Sequence, residues 1–339
     1  MKKIIRQAAY HSGLLHRHHQ KRNKDTLTVV LFHRVLPKGS PEWEGADPEW
    51  TVTTDFFKDC LFFFRKHYSV VSFPEVLDNY QGRGRLPNNP LLITFDDGWK
   101  CNLKNAAPLL GKLDFPAMLF VTTGATGKPI LSWQEALFAL WKTKNLDKQK
   151  IDSLAELTGI ALPYPVATEA EYRKLISTLR NLPLDTRCRL SVQLSNWTDK
   201  LPGLPYMLNE KELLELQKHR FHFGTHGLSH EPLVDVKNSH RELHLSSQAL
   251  SKITGNGETI RCFSPPHGLY NEELLATAAK TGYLCACTSR KGLNHTQECS
   301  GFIDLGRINI NQLALMNGRK KLDPSKLAAL LFRQPILEV

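Results

Sequence analysis

A chain of 339 residues, 41% hydrophobic and 23% charged, is long enough for one large domain with an insertion, or for two domains, and can bury a sizeable core. No stretch approaches the roughly 18 apolar residues that span a bilayer. The formal net charge of +11 is concentrated at the start, where Lys2, Lys3, Arg6, Arg17, Lys21, Arg22 and Lys24 all precede the first acid, Asp25.

Charge alone would allow nucleic-acid binding, but no zinc finger, helix-turn-helix or aromatic-rich strand motif supports it. Ile4, Ala8 and Leu15 lie near one helical face, so residues 1–24 read either as a solvated tail or as a peripheral contact with anionic lipid. Arg6, Gln7 and His11 interrupt Met1 to Leu15 where a secretory leader would be apolar. Seven scattered cysteines without a Cys-x-x-Cys pair suit a reduced setting. The expectation is a cytoplasmic protein, peripheral to the inner membrane if the basic start touches lipid.

Thr26 to Phe32 is β-branched and apolar, hence a buried strand, and delivers His33-Arg34-Val35 at its end. A Pro-, Gly- and acid-rich loop leads to Thr54, which opens a helix through Phe64; Tyr68 to Ser72 is a strand, and Phe73-Pro74-Glu75 starts another helix. Leu91 to Phe95 is a core strand that stops abruptly on Asp96-Asp97-Gly98. Asn102 to Leu110 has a helical pattern that Pro108 must kink or end, and Pro116 to Thr122 is another strand. This alternation predicts an α/β architecture with mostly parallel strands.

The rhythm breaks over residues 131–208, where Ser132-Trp133-Gln134-Glu135 and Thr168-Glu169-Ala170-Glu171 both have capping-box form and no core strand stands out. This span reads as a helical insertion on one βα loop. Alternation resumes with a helix capped by Asn209. The strand at Phe221 to Thr225 leads into His226-Gly227-Leu228-Ser229-His230, and a helix spans Ser239 to Thr254. Thr259 to Ser264 is a strand ending in Pro265-Pro266-His267-Gly268. Glu272 to Thr281 is helical, Tyr283 to Thr288 a strand, Ile303 to Ile310 the last strand, carrying Arg307, and Asp323 opens a terminal helix. The division is therefore a basic segment at 1–24, a barrel domain at 25–130 and 209–318, the insertion, and a C-terminal helix and tail at 319–339. About seven or eight strands suffice to close a barrel.

Polar residues recur where the strands end, at His33, Asp96-Asp97, His226/His230 and His267, and in a parallel barrel those ends share one face. Two adjacent carboxylates there are costly to desolvate unless a cation or proton offsets them. Taken alone, Asp-Asp-Gly fits equally a turn in which one Asp caps the next helix. Two histidines four apart place both imidazoles on one side, and with one carboxylate they make the three-ligand set, open to water, that holds a catalytic Zn²⁺.

Thr94-Phe95-Asp96-Asp97-Gly98, His226-x-x-x-His230 and a Pro-Pro-x-Gly turn together resemble the polysaccharide deacetylase family (carbohydrate esterase family 4, the nodulation-protein-type deacetylase domain), in register from about Thr26 to Ile310 except over the insertion. The resemblance implies a distorted (β/α)7 barrel that removes acetyl groups from N-acetylated sugars with a divalent metal. Carried over position by position, Asp96 is the general base, and Asp97, His226 and His230 are the metal ligands. The family's general acid is a His in a Leu-x-His motif. Leu31-Phe32-His33 resembles the circularly permuted branch, Leu293-Asn294-His295 is the late alternative, and His33 is favoured because a buried strand fixes its position.

The chain departs from the pattern at Ser264, where the family has an Arg that orients the base; Arg307 is the candidate replacement. His267 replaces the aromatic before Gly268, so Pro266, His267 and Gly268 are expected to line the substrate pocket. The expected partner is an N-acetylated sugar or oligosaccharide, and the expected setting is envelope or exopolysaccharide biosynthesis. The competing reading is a carbohydrate-binding scaffold that has lost turnover; Asp96 argues against it, since holding a metal needs no second carboxylate.

Overall fold

The computed structural model describes residues 2–128, 132–198, 207–255 and 260–339. Apolar runs form β1 (Thr26–Phe32), β2 (Arg34–Leu36), β3 (Thr51–Thr53), β4 (Ser69–Val70), β5 (Pro90–Phe95), β6 (Ala117–Val121) and β7 (Phe221–Thr225). They are followed by β8 (Cys262–Phe263), β9 (Cys285–Thr288), β10 (Leu293–His295), β11 (Ile303–Gly306), β12 (Ile308–Asn309) and β13 (Ile336–Leu337). Around the main sheet the order is β11-β9-β8-β7-β6-β5-β1, every neighbour parallel. β12 pairs in parallel with the other side of β1.

Since β11 and β12 are two halves of one segment, interrupted at Arg307, that segment bonds to β9 and to β1 and brings the sheet to a nearly closed barrel. The expected last strand, Ile303 to Ile310, is thus broken at the arginine, and the short β13 follows it. β10 runs antiparallel to the start of β1, while β2 and β3 form a small separate sheet.

Alternation sorts the side chains. Leu27, Val29, Leu92, Met118, Phe120, Cys262, Cys285, Cys287 and Leu305 form one buried cluster inside the barrel. The intervening Val30, Phe32, Leu91, Ile93 and Phe95 pack outward against Phe57 and Phe64 of the helix Thr54–His67. Gly224 in β7 is required by close approach, because a Cβ there would lie 2.6 Å from the Phe120 ring.

Several expectations change in detail. The helix after β5 keeps Pro108 without ending there: a π-helical stretch, Asn102–Ala106, hands over to Ala107–Gly111, which places the proline in a first turn that needs no N–H from it. The strand expected over Tyr68 to Ser72 is only Ser69–Val70, because Ser72 is spent as the cap of the helix Phe73–Tyr80. Of the strand expected from Thr259 to Ser264, only Cys262–Phe263 is paired; Thr259 lies outside the described residues.

The basic start is not a solvated tail. It forms helices Lys2–His11 and Leu14–Arg22, broken at Gly13 with φ 77°. Arg6 donates to Asp323 at 3.2 Å and to Ser325 at 3.0 Å, and the buried His19 stacks on Phe332 at 4.1 Å. The break also separates Leu15 from Ile4, so the large apolar side chains left in solvent are Ile4, Ile5 and Leu14, with Ala8 exposed beside them. Among the described residues no helix is long and apolar enough to cross a membrane.

Between β6 and β7 stand the helices Trp133–Lys142, Lys148–Thr158, Glu169–Arg180 and Leu184–Thr198. They share a core of their own that includes Trp133, Leu137, Leu154, Tyr172, Leu179 and Leu194. Leu131 and residues 199–206, also assigned to the insertion, lie outside the described residues. Thr168 and Glu171 complete a capping box. Ser132 accepts from the Glu135 N–H, but the Glu135 carboxylate does not return to the cap; it is used elsewhere.

Candidate active site

The C-terminal ends of β1, β5, β7 and β9, with Arg307 between β11 and β12, open on one cavity of about 330 Å³ whose wall includes His33, Asp96, Asp97, His226, His230 and Arg307. The chain turns sharply after β5, with Asp97 at φ 78° and Gly98 at φ 95°. Trp99, buried beside them, donates its indole N–H to Asp97 Oδ2 at 2.8 Å. Oδ1 is left facing the histidines, 3.4 Å from His226 Nε2 and 3.3 Å from His230 Nε2.

The His226 ring is oriented by its other nitrogen. Nδ1 lies 2.8 Å from the Ser264 carbonyl, which can only accept, so Nδ1 carries the proton and Nε2 turns its lone pair to Asp97. Burial brings the His226 pKa down to about 4 although Asp96 and Asp97 pull it upward, so the ring is neutral, as a ligand must be. Burial also works against the Asp97 carboxylate, but the His230 hydrogen bond and the surrounding histidines outweigh it and hold its pKa well below the usual range.

Donors bonded at about 2.0–2.1 Å to a tetrahedral ion sit roughly 3.3–3.4 Å apart, the separation Asp97 keeps from both rings. The donor set of one carboxylate and two imidazoles at this spacing fits a divalent ion. Asp97, His226 and His230 form a candidate metal group on this ground.

Beside this set, Asp96 is only 3% exposed. Arg307 grips it with both arms, Nη1 to Oδ1 at 2.7 Å and Nη2 to Oδ2 at 2.9 Å. Burial raises the Asp96 pKa, but the Arg307 charge and its hydrogen bonds more than offset it and hold the carboxyl below its ordinary range. Ser264, the departure from the family pattern, joins the same network: its Oγ accepts from Arg307 at 2.6 Å and donates to Asp96 Oδ2 at 3.3 Å. The guanidinium thus comes from a different strand than the pattern suggests.

His33 lines the cavity and its ring lies 4.8 Å from that of Trp50. His295 does not reach it: it pairs with Thr26, at the opposite end of β1 from His33. His267 and Gly268 line the cavity, and His267, with backbone φ 58°, packs its ring 4.7 Å from His230. Pro266, expected in the lining, is not part of it; it is buried, packed towards Gly227.

Sequence reasoning missed five contributors. Trp99 follows the Asp-Asp-Gly motif directly, but nothing local says where its N–H points. Arg34, 1% exposed, stacks 4.6 Å over Trp99 and reaches Glu135 at 3.1 Å. Glu135 leaves its cap for that pair, and burial, opposed by Arg34, pushes its pKa up to about 7. Gln134 and Arg180 bring the inserted helices to the cavity wall.

The solved structures similar in fold include the Streptococcus pyogenes deacetylase PplD in complex with acetate, at 18% identity and TM-score 0.56, covering 91% of this chain and 99% of that one. IcaB from Ammonifex degensii follows at 17% and 0.55, covering 91% and 98%. A de-N-acetylase from Aggregatibacter actinomycetemcomitans stands at 15% and 0.52, covering 84% and 94%. At these identities the likeness is one of fold. No curated protein matches the sequence. The sequence model described as polysaccharide deacetylase matches residues 83–286, a span that holds Asp96, Asp97, His226 and His230. With more than half of its length matched, the chain belongs to the polysaccharide deacetylase family and is a hydrolytic N-deacetylase.

Proposed function

We propose that this enzyme hydrolyses the acetamide of an N-acetylated sugar in an envelope glycan or its precursor, with a divalent ion, Zn²⁺ first among candidates, held by Asp97, His226 and His230. The observation that carries the reading is the placing of Asp96, a second buried carboxylate clamped by Arg307, beside that three-ligand set. A scaffold that only bound sugar would have no use for it. Three nitrogen and oxygen ligands with a position left open suit catalytic zinc. The Aggregatibacter neighbour is a de-N-acetylase, in line with an amide substrate.

When bound, the ion polarises the acetamide carbonyl and lowers the pKa of a water towards about 7. Asp96 takes the proton of the attacking water, its two oxygens aimed by Arg307 and Ser264. His33 protonates the amine as it leaves, since an unprotonated amine is a poor leaving group. A carboxylate base and a histidine acid make the rate bell-shaped in pH.

Ile4, Ile5 and Leu14 stand in solvent on helices rich in Lys and Arg. That suits a cytoplasmic enzyme touching an anionic membrane surface, where a lipid-linked precursor would be met. Acetate release from N-acetylglucosamine oligomers, nucleotide sugars and lipid-linked sugars tests the proposal. Chelation should abolish release and added Zn²⁺ restore it. Asp96→Asn should keep the metal and lose the activity, whereas a scaffold would release no acetate from any of the sugars.

A further inference from the structure

We propose that Arg187, from the inserted helices, is a positioning residue for His230, so that the insertion braces the loop that carries this metal ligand; this rests on the metal reading above. The two imidazoles of the site are secured differently. His226 is fixed through its ring, by the bond from Nδ1 to the Ser264 carbonyl. His230 has no such tie: its Nδ1 is buried and has no hydrogen-bond partner among the described residues. Its backbone is held at φ 65°, a left-handed conformation that a residue with a side chain keeps only where its surroundings impose it. The aim of its Nε2 thus depends on the loop around it, residues 227–231, and on whatever holds that loop.

Two charged side chains grip it. Glu242, on the helix Ser239–Thr254, accepts from the Leu228 N–H at 3.0 Å and from the Ser229 N–H at 3.1 Å. On the other side stands Arg187 of the helix Leu184–Thr198. Its Nε donates at 3.1 Å to Glu231, the residue after His230, and its Nη2 donates at 2.9 Å to Asp235. Nη1 donates to the carbonyls of Arg180 at 3.1 Å and Leu182 at 3.3 Å, where the helix Glu169–Arg180 ends. Arg187 is only 5% exposed, so this bridge is directional and little screened by salt.

A second arginine of the insertion supplies the contrast. Arg173 grips Asp47 with two bonds, at 2.7 and 2.8 Å, but Asp47 belongs to the loop before β3, which carries no metal ligand. That pair fastens the insertion to the barrel; the Arg187 bridge does so at the residue next to a ligand. Without Arg187, Glu231 and Asp235 lose their partner, the left-handed turn at His230 relaxes, and Nε2 leaves the 3.3 Å separation it keeps from Asp97.

The test titrates the full chain with Zn²⁺ in competition with a colorimetric chelator. Arg187→Ala and Glu231→Gln should each weaken Zn²⁺ binding by about 10–100-fold. Arg187→Lys, which keeps the charge, should recover part of the loss, and the double change should cost no more than the worse single one. Arg173→Ala should lower Tm and leave Zn²⁺ affinity within about twofold. An affinity within about twofold in Arg187→Ala, or an equal loss in Arg173→Ala, overturns the brace; where Arg187→Ala does not fold, Glu231→Gln decides by the same limits. If the unmodified chain binds no Zn²⁺, the metal reading has failed instead. Hydrogen exchange at the amides of residues 227–231 then decides whether Arg187 holds the loop: it should quicken by about tenfold or more in Arg187→Ala and stay unchanged in Arg173→Ala.

Discussion

His226 and His230 at one end of the barrel, and His16, His19 and His67 at the other, are two histidine clusters packed within the same protein. In both, burial brings rings down to a pKa of about 4, as for His226, His19 and His67. What differs is the company. His226 and His230 face the Asp97 carboxylate and an open cavity. His19 lies flat on Phe332, with Nε2 against the His67 carbonyl at 3.2 Å and Nδ1 taking the Asn23 amide at 3.0 Å, while His16 and His67 meet Nδ1 to Nδ1 at 3.0 Å. Burial makes an imidazole neutral at either end. Only a carboxylate partner and room for an ion turn the neutral ring into a ligand; without them it is an aromatic side chain with two polar corners.

Exchanging residues between these roles is the most direct way to break the comparison. His226→Ala should lower kcat/KM by on the order of 10³-fold or more and empty the metal site, read by acetate release and metal content. His67→Gln should leave turnover within about twofold while lowering Tm; a collapse of turnover in folded His67→Gln protein would sink the distinction. Arg307→Lys sharpens it from the carboxylate side. The charge stays but the two-armed grip goes, so kcat should fall by about 10–100-fold. Asp96, less strongly held down, should then titrate at higher pH, and the acid limb of the rate profile should move up with it.

The smallest effect concerns acid stability. His19 and His67 titrate near 4 when folded, against 6.5 ordinarily. Between those values the unfolded chain binds protons that the folded one refuses, so stability is intact above 6.5 and drains away as pH falls towards 4. The double change of His19 and His67 to Gln should flatten Tm against pH across that window; an unchanged slope would contradict the assignment.

Much of the barrel is legible in the sequence because its strands are short apolar runs that stop on polar residues, and the convergence of Asp96, Asp97, His226, His230 and Arg307 follows from those stops. Local capping chemistry likewise sets the helix that Asn209 opens. What escapes is decided at long range. Nothing near Arg6 announces Asp323, its partner 317 positions away, so the basic start reads as a tail. Nothing in Ser132-Trp133-Gln134-Glu135 says that the glutamate will desert its cap for Arg34, 101 positions earlier. Such a breach of a local rule beside a catalytic cavity is where tertiary demands outweigh local preference. The roles of Trp99 and Ser264 are hidden for the same reason, since each is defined by the side chain it meets.

The segment that seals the barrel wall also delivers the counter-charge for Asp96, and it lies 211 positions downstream of it. Neither the last contact of the wall with β1 nor the two-armed grip on Asp96 can form before this late segment has joined the fold, so closing the barrel and fixing that carboxylate are one event.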